Sequence, residues 1–190
     1  MINNEQLVDW QIVDKENDLV MPWFTHSSLQ AIKGIDLSDK IVVQLGAGLG
    51  DAWLASRCKH LYCVERSHDW LIRANTYATN RNIFNLTYIY VPINDGSDLD
   101  KEYIGTIPEE FDVLINDDAY RSEVCQFAVD YFTKKENGGI FIVDNWQQDF
   151  VWLSPRSEEL LLPFEHTIYP QPDHSQNEIE RWKTAIFYIK

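Results

Sequence analysis

The strongest constraint in this sequence is a strand that runs straight into glycines. Ile41-Val42-Val43-Gln44-Leu45 is a short apolar run, and Gly46-Ala47-Gly48-Leu49-Gly50 follows with no spacer. Gly46 can take a positive φ at little steric cost, and a glycine at 48 lets another group lie against the main chain. A helix is expected next, from about Asp51 to Cys58, so its first N–H groups face the same turn. A strand that turns so tightly into a helix belongs to a β-α alternation, and the rest of the chain has to supply the other units.

It does. Leu61–Val64 ends at Glu65, Leu86–Val91 is rich in aromatic and β-branched residues, Phe111–Ile115 ends in Asn116-Asp117-Asp118, and Ile140–Val143 ends in Asp144-Asn145. Short, nearly continuous apolar runs of this kind suit strands covered on both faces. Between them, Trp70, Leu71, Ala74, Tyr77 and Ala78 recur at helical spacing after a Ser67 N-cap, and Val124, Ala128, Tyr131 and Phe132 do so after Ser122. Asn137-Gly138-Gly139 supplies a helix stop. Past Phe164 the pattern changes to two strands, Phe164–Tyr169 and Trp182–Ile189, flanking a polar loop with Pro170, Pro172 and His174, which reads as an antiparallel pair on the sheet edge. The expected fold is α/β: a Rossmann-like, mostly parallel seven-stranded sheet with helices on both faces and a C-terminal antiparallel strand pair. Residues 1–39, with Trp10, Met21-Pro22-Trp23-Phe24 and a helix around Ser28–Ile32, form a lead-in over the sheet, and residues 40–190 form the main domain of one compact unit.

Composition removes several function classes. With 30 acidic against 16 basic residues the formal charge is −14, so a phosphate-tracking surface for nucleic acid is not expected. Cys58, Cys63 and Cys125 show no C-x-x-C spacing, which argues against a disulfide framework or a structural zinc site. No apolar stretch approaches the roughly 20 residues of a membrane span. The first residues, Met-Ile-Asn-Asn-Glu, do not read as a secretory signal, so the expected location is cytoplasmic. A homo-oligomer stays open.

Glu65, at the end of the next strand, lies about 20 residues beyond the loop, where a carboxylate can accept both hydroxyls of a ribose. The nucleotide is the question. Dinucleotide folds carry G-x-G-x-x-G, and Asp51 stands where the last glycine of that pattern belongs. A carboxylate there would oppose a pyrophosphate, whereas a sulfonium cofactor without phosphate suits it.

The segment Val43 to Gly50 resembles the first motif of the class I S-adenosylmethionine-dependent methyltransferases, and the resemblance extends from about Lys40 to the C-terminus. It implies S-adenosylmethionine as cofactor, with Gly46, Ala47, Gly48 and Gly50 on its methionine portion and Glu65 on its ribose. The motif's acid, which helps seat the methionine amino group, is replaced here by Gln44. Asn94 or Asp95, after the third strand, would meet the adenine amine, and Asp117 matches the start of the family's fourth motif.

Open α/β sheets bind ligands at the carboxyl ends of their strands, which makes Asn116, Asp117, Asp118, Asp144, Asn145 and Trp146 the candidates to border the transfer site. Methyl transfer needs a positioned acceptor and often a base or a metal. Similarity to the catechol-type O-methyltransferases implies a divalent cation such as Mg²⁺ on Asp117, Asp144 and Asn145, although Tyr120 stands where that subgroup has its lysine base. Met21-Pro22-Trp23-Phe24, Asp117, Arg121 and Asp144-Asn145 also resemble small bacterial methyltransferases of undefined substrate. His26 is a candidate base, and Trp23 and Trp146 candidate walls of an acceptor pocket. The resulting expectation is a methyltransferase for a small-molecule acceptor, at oxygen, with Asp117, Asp144 and His26 as catalytic candidates. The alternatives are an NAD-dependent oxidoreductase, or a non-catalytic protein that binds cofactor and a protein partner.

Overall fold

The structure, a computed structural model, describes residues 11–92, 99–118, 120–146, 155–171 and 182–190. The glycine-terminated strand is β3 (Ile41–Leu45), and it lies in the middle of the sheet. Its parallel neighbours are β4 (His60–Glu65) on one side and β6 (Val113–Asn116) on the other. β5 (Leu86–Tyr90) extends the first side, and β7 (Gly139–Asp144) the second. β9 (Lys183–Ile189) then inserts antiparallel between β7 and β8 (Glu165–Pro170), giving the order β5-β4-β3-β6-β7-β9-β8. The expected seven-stranded mixed sheet is therefore present, strand for strand.

Both faces are covered, as the continuous apolar runs require. On one face, α1 (His26–Gly34), α2 (Asp51–Ala55) and α3 (His68–Thr79) bury Leu29, Ile32, Trp53, Leu54, Tyr77 and Ala78 against Val42, Leu61 and Cys63. On the other, α4 (Leu99–Gly105), α5 (Arg121–Phe132) and α6 (Pro155–Leu161) bury Tyr103, Val124, Phe132 and Leu161 against Val43, Leu45, Leu114 and Phe141. Ser67 caps α3 through its hydroxyl, which accepts from Trp70 N–H at 3.4 Å. None of the helices among the described residues is long and apolar enough to cross a membrane.

Three local expectations differ. α2 stops at Ala55, three residues early, because the chain must turn back at Lys59, whose N–H pairs with Lys40 O at 3.0 Å. α5 begins at Arg121 after Tyr120, which holds a left-handed φ of 56°, and ends at Phe132. The Gly138 turn (φ 62°) therefore starts β7 rather than stopping the helix. Its missing side chain matters, since a Cβ there would lie 2.0 Å from Ile189 O.

The lead-in carries a two-stranded ribbon, β1 (Val13–Asp14) and β2 (Leu19–Val20), too short to show in the sequence pattern. Asp14, 4% exposed, fixes it: its carboxylate accepts Trp53 Nε1 at 2.7 Å and Lys33 Nζ at 3.0 Å, joining ribbon, α2 and α1. Val20 N–H donates to Tyr77 Oη at 2.9 Å, adding α3. The chain that leaves the ribbon, Met21-Pro22, crosses directly over Gly50, where a Cβ would come within 2.4 Å of Pro22 Cα. At Gly48 a Cβ would meet nothing within 4 Å. Gly50→Ala is therefore expected to cost about 1–3 kcal/mol, and Gly48→Ala less than about 0.5 kcal/mol, in urea unfolding. Equal costs at the two positions would contradict this assignment of the two glycines.

Candidate functional site

The sheet's strand order reverses between β3 and β6, and the glycine loop sits at the carboxyl end of that switch, where open α/β sheets bind ligands. Gly46 takes φ 94° and donates to Val64 O at 2.9 Å, while Asp117 N–H donates to Leu45 O at 3.0 Å. The loop is thus pinned between the ends of β4 and β6. A side chain at 46 would stand 2.8 Å from Asp117 O, so glycine is required there by both conformation and space.

Three buried side chains hold the loop from below. Asp51, fully buried as the first residue of α2, accepts Gly48 N–H on both oxygens, each at 3.0 Å. Gln44 donates through Nε2 to Gly46 O at 2.7 Å and to Asp51 Oδ1 at 3.0 Å. Both groups facing Nε2 are acceptors, which fixes the amide orientation. Gln44 Oε1 is then left buried with no hydrogen-bond partner. Glu65 accepts Ala47 N–H at 2.6 Å on one oxygen and Ser67 N–H on the other. Burial pushes the Asp51 carboxyl up to about 7 against the pull of the Gly48 N–H. It also raises Glu65, which the Ala47 and Ser67 N–H groups oppose.

Beside the loop, Arg121 organises the ends of β6 and β7. Its Nε donates to the Asp144 carbonyl at 3.0 Å, and its Nη2 donates to Asn145 Oδ1 at 2.8 Å and lies 3.7 Å from Asp117 Oδ1. The Asp144 carboxylate turns the other way and accepts Thr184 Oγ1 at 2.6 Å and Trp182 Nε1 at 3.1 Å. Two non-glycine residues with left-handed φ, Tyr120 (56°) and Asn145 (55°), flank this guanidinium. Asparagine tolerates that region; a tyrosine there costs roughly 1–2 kcal/mol, which the surrounding packing must offset. Burial lifts Asp144 to about 6, opposed by Thr184 and Trp182. Burial and the like charge of Asp144 hold Asp117 well above the usual carboxylate range, and Arg121 pulls it back.

These contacts do not support the cation expected on Asp117, Asp144 and Asn145. The space between them is taken by a guanidinium, Asn145 Oδ1 already accepts from it, and Asp144 points at donors on β9. Among the described residues, no group of three His, Cys, Asp or Glu is placed to hold a metal.

A narrow cavity of about 110 Å³ opens over the loop, lined by Gln44, Gly48, Asp51 and Asp117 below and by Gln11, Trp23 and Trp70 above. Enclosing ligand pockets run to roughly 300–1,000 Å³, so this slot takes one end of a ligand. A larger cavity, about 740 Å³, lies at the opposite end of the sheet beside Ile41, Asp112 and Lys135, far from the strand ends that carry the acids.

Gln44, Ala47, Gly48, Gly50 and Asp117 line the cavity and Glu65 holds the loop from β4, whereas the carboxylate of Asp144, expected at the transfer site, faces Thr184 and Trp182 instead. Trp146 is not a wall: it is 3% exposed and packs edge-on against Phe187 at 5.0 Å. His26 starts α1, its N–H donating to Gln171 Oε1 at 2.8 Å, and its ring is not among the residues lining the cavity. Asn94, Asp95, Trp10, Pro172 and His174 lie outside the described residues. Trp70, read from the sequence as a core position of α3, is 38% exposed and lines the cavity instead. Two further contributors stand outside the expected site residues. Asp51 was legible as an acid opening the helix after the loop, but Trp182, which stacks edge-on with Trp23 at 6.0 Å, comes from the far end of the chain and leaves no local signal.

No protein-family model matches the chain, and no curated protein matches it in sequence. Solved structures do. A precorrin-8w decarboxylase from Methanobacterium thermoautotrophicum superposes with a TM-score of 0.61 at 16% identity, covering 100% of both chains. An rRNA methylase from Streptococcus thermophilus gives 0.59 at 14% identity over 87% of this chain and 96% of its own. M. jannaschii TYW2, solved in complex with S-adenosylmethionine, gives 0.55 at 12% identity over 94% and 84%. The chain shares the Rossmann-like, seven-stranded fold of these proteins. At these identities the likeness is one of fold, and within that fold the insertion of β9 between β7 and β8 separates it from the six-stranded dehydrogenase order.

The raised Asp51 carboxyl has a measurable consequence for stability. The folded chain keeps a proton that the unfolded chain, with an ordinary aspartate near 4, releases. Protons bound in the native state then exceed those in the unfolded state between about pH 4 and 7, so Asp51's contribution to stability falls as pH rises through that window and levels off above it. Asp51→Asn, which keeps an oxygen for Gly48 N–H, is expected to flatten the Tm-against-pH profile there by an amount on the order of a few kcal/mol. Identical profiles for the two proteins would refute a buried, proton-holding Asp51.

Proposed function

We propose that the chain is an S-adenosylmethionine-dependent methyltransferase that acts on a small molecule, with oxygen as the acceptor atom. The observation that carries this reading is the loop's chemistry: a backbone left open at Gly48, with the Asp51 carboxylate bound across the helix end where a dinucleotide would place its pyrophosphate. A carboxylate there repels phosphate and favours a cofactor that carries positive charge. The residues fit such a group, since Gly48 leaves room for close approach and Gln44 Oε1 presents a buried acceptor with no partner.

When bound, S-adenosylmethionine supplies an electrophilic methyl group on a sulfonium. The rest falls to the chain. Glu65, at the end of β4 beside Ala47, has unused lone pairs on both oxygens to accept the ribose hydroxyls. The loop from Gly46 to Gly50 receives the methionine portion. Asp117 borders the cavity with its side chain 30% exposed and forms the acidic edge at which an acceptor hydroxyl would lose its proton, while Asp144, turned toward Thr184 and Trp182, acts on it only as a neighbouring charge. Trp23, held edge-on by Trp182, forms a wall that orients the acceptor and excludes water. The substrates of the similar structures include rRNA, but a chain with 30 acidic and 16 basic residues favours a small acceptor.

S-adenosylhomocysteine is expected to bind the wild type in calorimetry and NADH is not. Glu65→Ala is expected to weaken binding by about tenfold or more, the loss of charge-assisted hydrogen bonds to the ribose. Tighter binding of NADH would replace this reading with that of an oxidoreductase. With an acceptor found by screening hydroxylated metabolites, Asp117→Asn is expected to lower transfer by about 10²–10⁴. It should do so without lowering stability near neutral pH, since it relieves the like charge beside Asp144. Full activity in Asp117→Asn would remove Asp117 from the transfer step.

A further inference from the structure

The position that resembles the motif's acid holds a neutral Gln44, while a second carboxylate, Asp51, lies in the same cavity wall and is hydrogen-bonded to that glutamine. Gln44 Oε1, in a residue only 4% exposed, has no partner. Both residues lie in the wall at one end of the narrow slot beside Gly48, as a buried neutral acceptor and a buried carboxylate that already accepts Gly48 N–H. A group carrying several N–H donors and a positive charge satisfies both at once.

We propose that Asp51 is the residue that recognises the cofactor's ammonium group, with Gln44 Oε1 accepting a second hydrogen bond from the same ammonium, so that the charge missing at position 44 is supplied from the first turn of α2. This rests on the cofactor reading above and assigns a recognition role within it. The surroundings make the arrangement pH-dependent. Cys63 and Glu65 face Asp51 from β4, Tyr88 faces it from β5 and Asp117 from the end of β6; none of them carries a positive charge. Without a cation, Asp51 retains its proton up to about pH 7. When the ammonium arrives with its three protons, the Asp51 carboxyl loses its own to solvent, and the pair becomes carboxylate and ammonium. Binding therefore releases a proton, and affinity rises with pH until Asp51 is ionised in the free protein.

The test is calorimetry of the full chain with S-adenosylhomocysteine, which carries the ammonium but no sulfonium, in buffers of different ionisation enthalpy. The wild type is expected to release roughly half a proton per ligand at pH 7. Asp51→Asn is expected to bind on the order of tenfold to a hundredfold more weakly and to release none. 5′-Methylthioadenosine, which lacks the amino-acid tail, is expected to bind both proteins equally. The exchange Gln44→Glu with Asp51→Asn, which moves the charge rather than deleting it, is expected to recover most of the affinity. If the wild type binds no S-adenosylhomocysteine, the cofactor reading itself fails. If it binds and Asp51→Asn binds equally well, or releases the same proton, that reading stands and the Asp51 assignment falls. A loss that extends to 5′-methylthioadenosine also overturns it, because Asp51 would then only be shaping the loop.

Discussion

Everything near the site depends on how closely other backbone passes the loop after β3. Asp117 O lies 2.8 Å from where a Cβ of residue 46 would be, and Pro22 Cα 2.4 Å from where a Cβ of residue 50 would be. The first approach sets the spacing between β3 and β6, and therefore where the acids after β6 stand relative to the loop. The second brings the lead-in over the cavity, placing Trp23 as its roof. At Gly48, between them, nothing crowds the Cα, although Asp51 holds its N–H. In a well-packed fold, backbone left uncovered between two such tight contacts is room kept for something else.

The second constraint is electrostatic. Asp51, Glu65, Asp117 and Asp144 crowd one end of the sheet, and burial opposes their ionisation. Few cations answer them from within the chain. Arg121 faces Asp117 and the backbone of Asp144, and Arg66 pairs with Asp118 through Nε at 2.9 Å, with Tyr103 Oη donating to the same carboxylate. No cationic side chain lines the cavity among the described residues. Collected like charges destabilise a fold unless something compensates, by neutralisation or by a bound cation. Partial protonation serves the free protein, and a positively charged ligand would serve the bound one. Between β6 and β7 the compensating cation is built in, as the Arg121 guanidinium.

The sheet was legible in the sequence because each parallel strand is buried on both faces and so reads as an uninterrupted apolar run with an abrupt polar end. Glu65 and Asp117 were legible for the same reason: they are those polar ends, and their position follows from where the runs stop. What the sequence concealed depends on pairings between distant segments. The β1–β2 ribbon has two residues per strand, and Asp14 defines it only by meeting Trp53 and Lys33 in space. Trp146 and Trp70 were read in reverse, as wall and as core, because an indole's burial depends on what packs over it. In this case that is Phe187 for one and an open cavity for the other. Gln44 looked like a loss of charge when read along the chain. In three dimensions it touches the carboxylate seven positions later that restores it.

The lead-in also has an energetic link to the transfer edge that no motif would reveal. Thr184 on β9 stands between them: its hydroxyl donates to Asp144 and accepts Thr25 N–H at 3.1 Å, two residues beyond Trp23. That N–H belongs to a fully buried residue, so leaving it unpaired would cost on the order of 1–3 kcal/mol. The roof over the cavity is thus held by the same hydroxyl that solvates Asp144, and Trp182 joins the two by donating to Asp144 while packing on Trp23. The hydroxyl donates more strongly to an ionised carboxylate than to a neutral carboxyl. Ionisation of Asp144 therefore strengthens the tie between the wall and the acidic edge, and coupling of this kind lets one buried carboxylate influence both the chemistry of the site and the position of the wall that closes it.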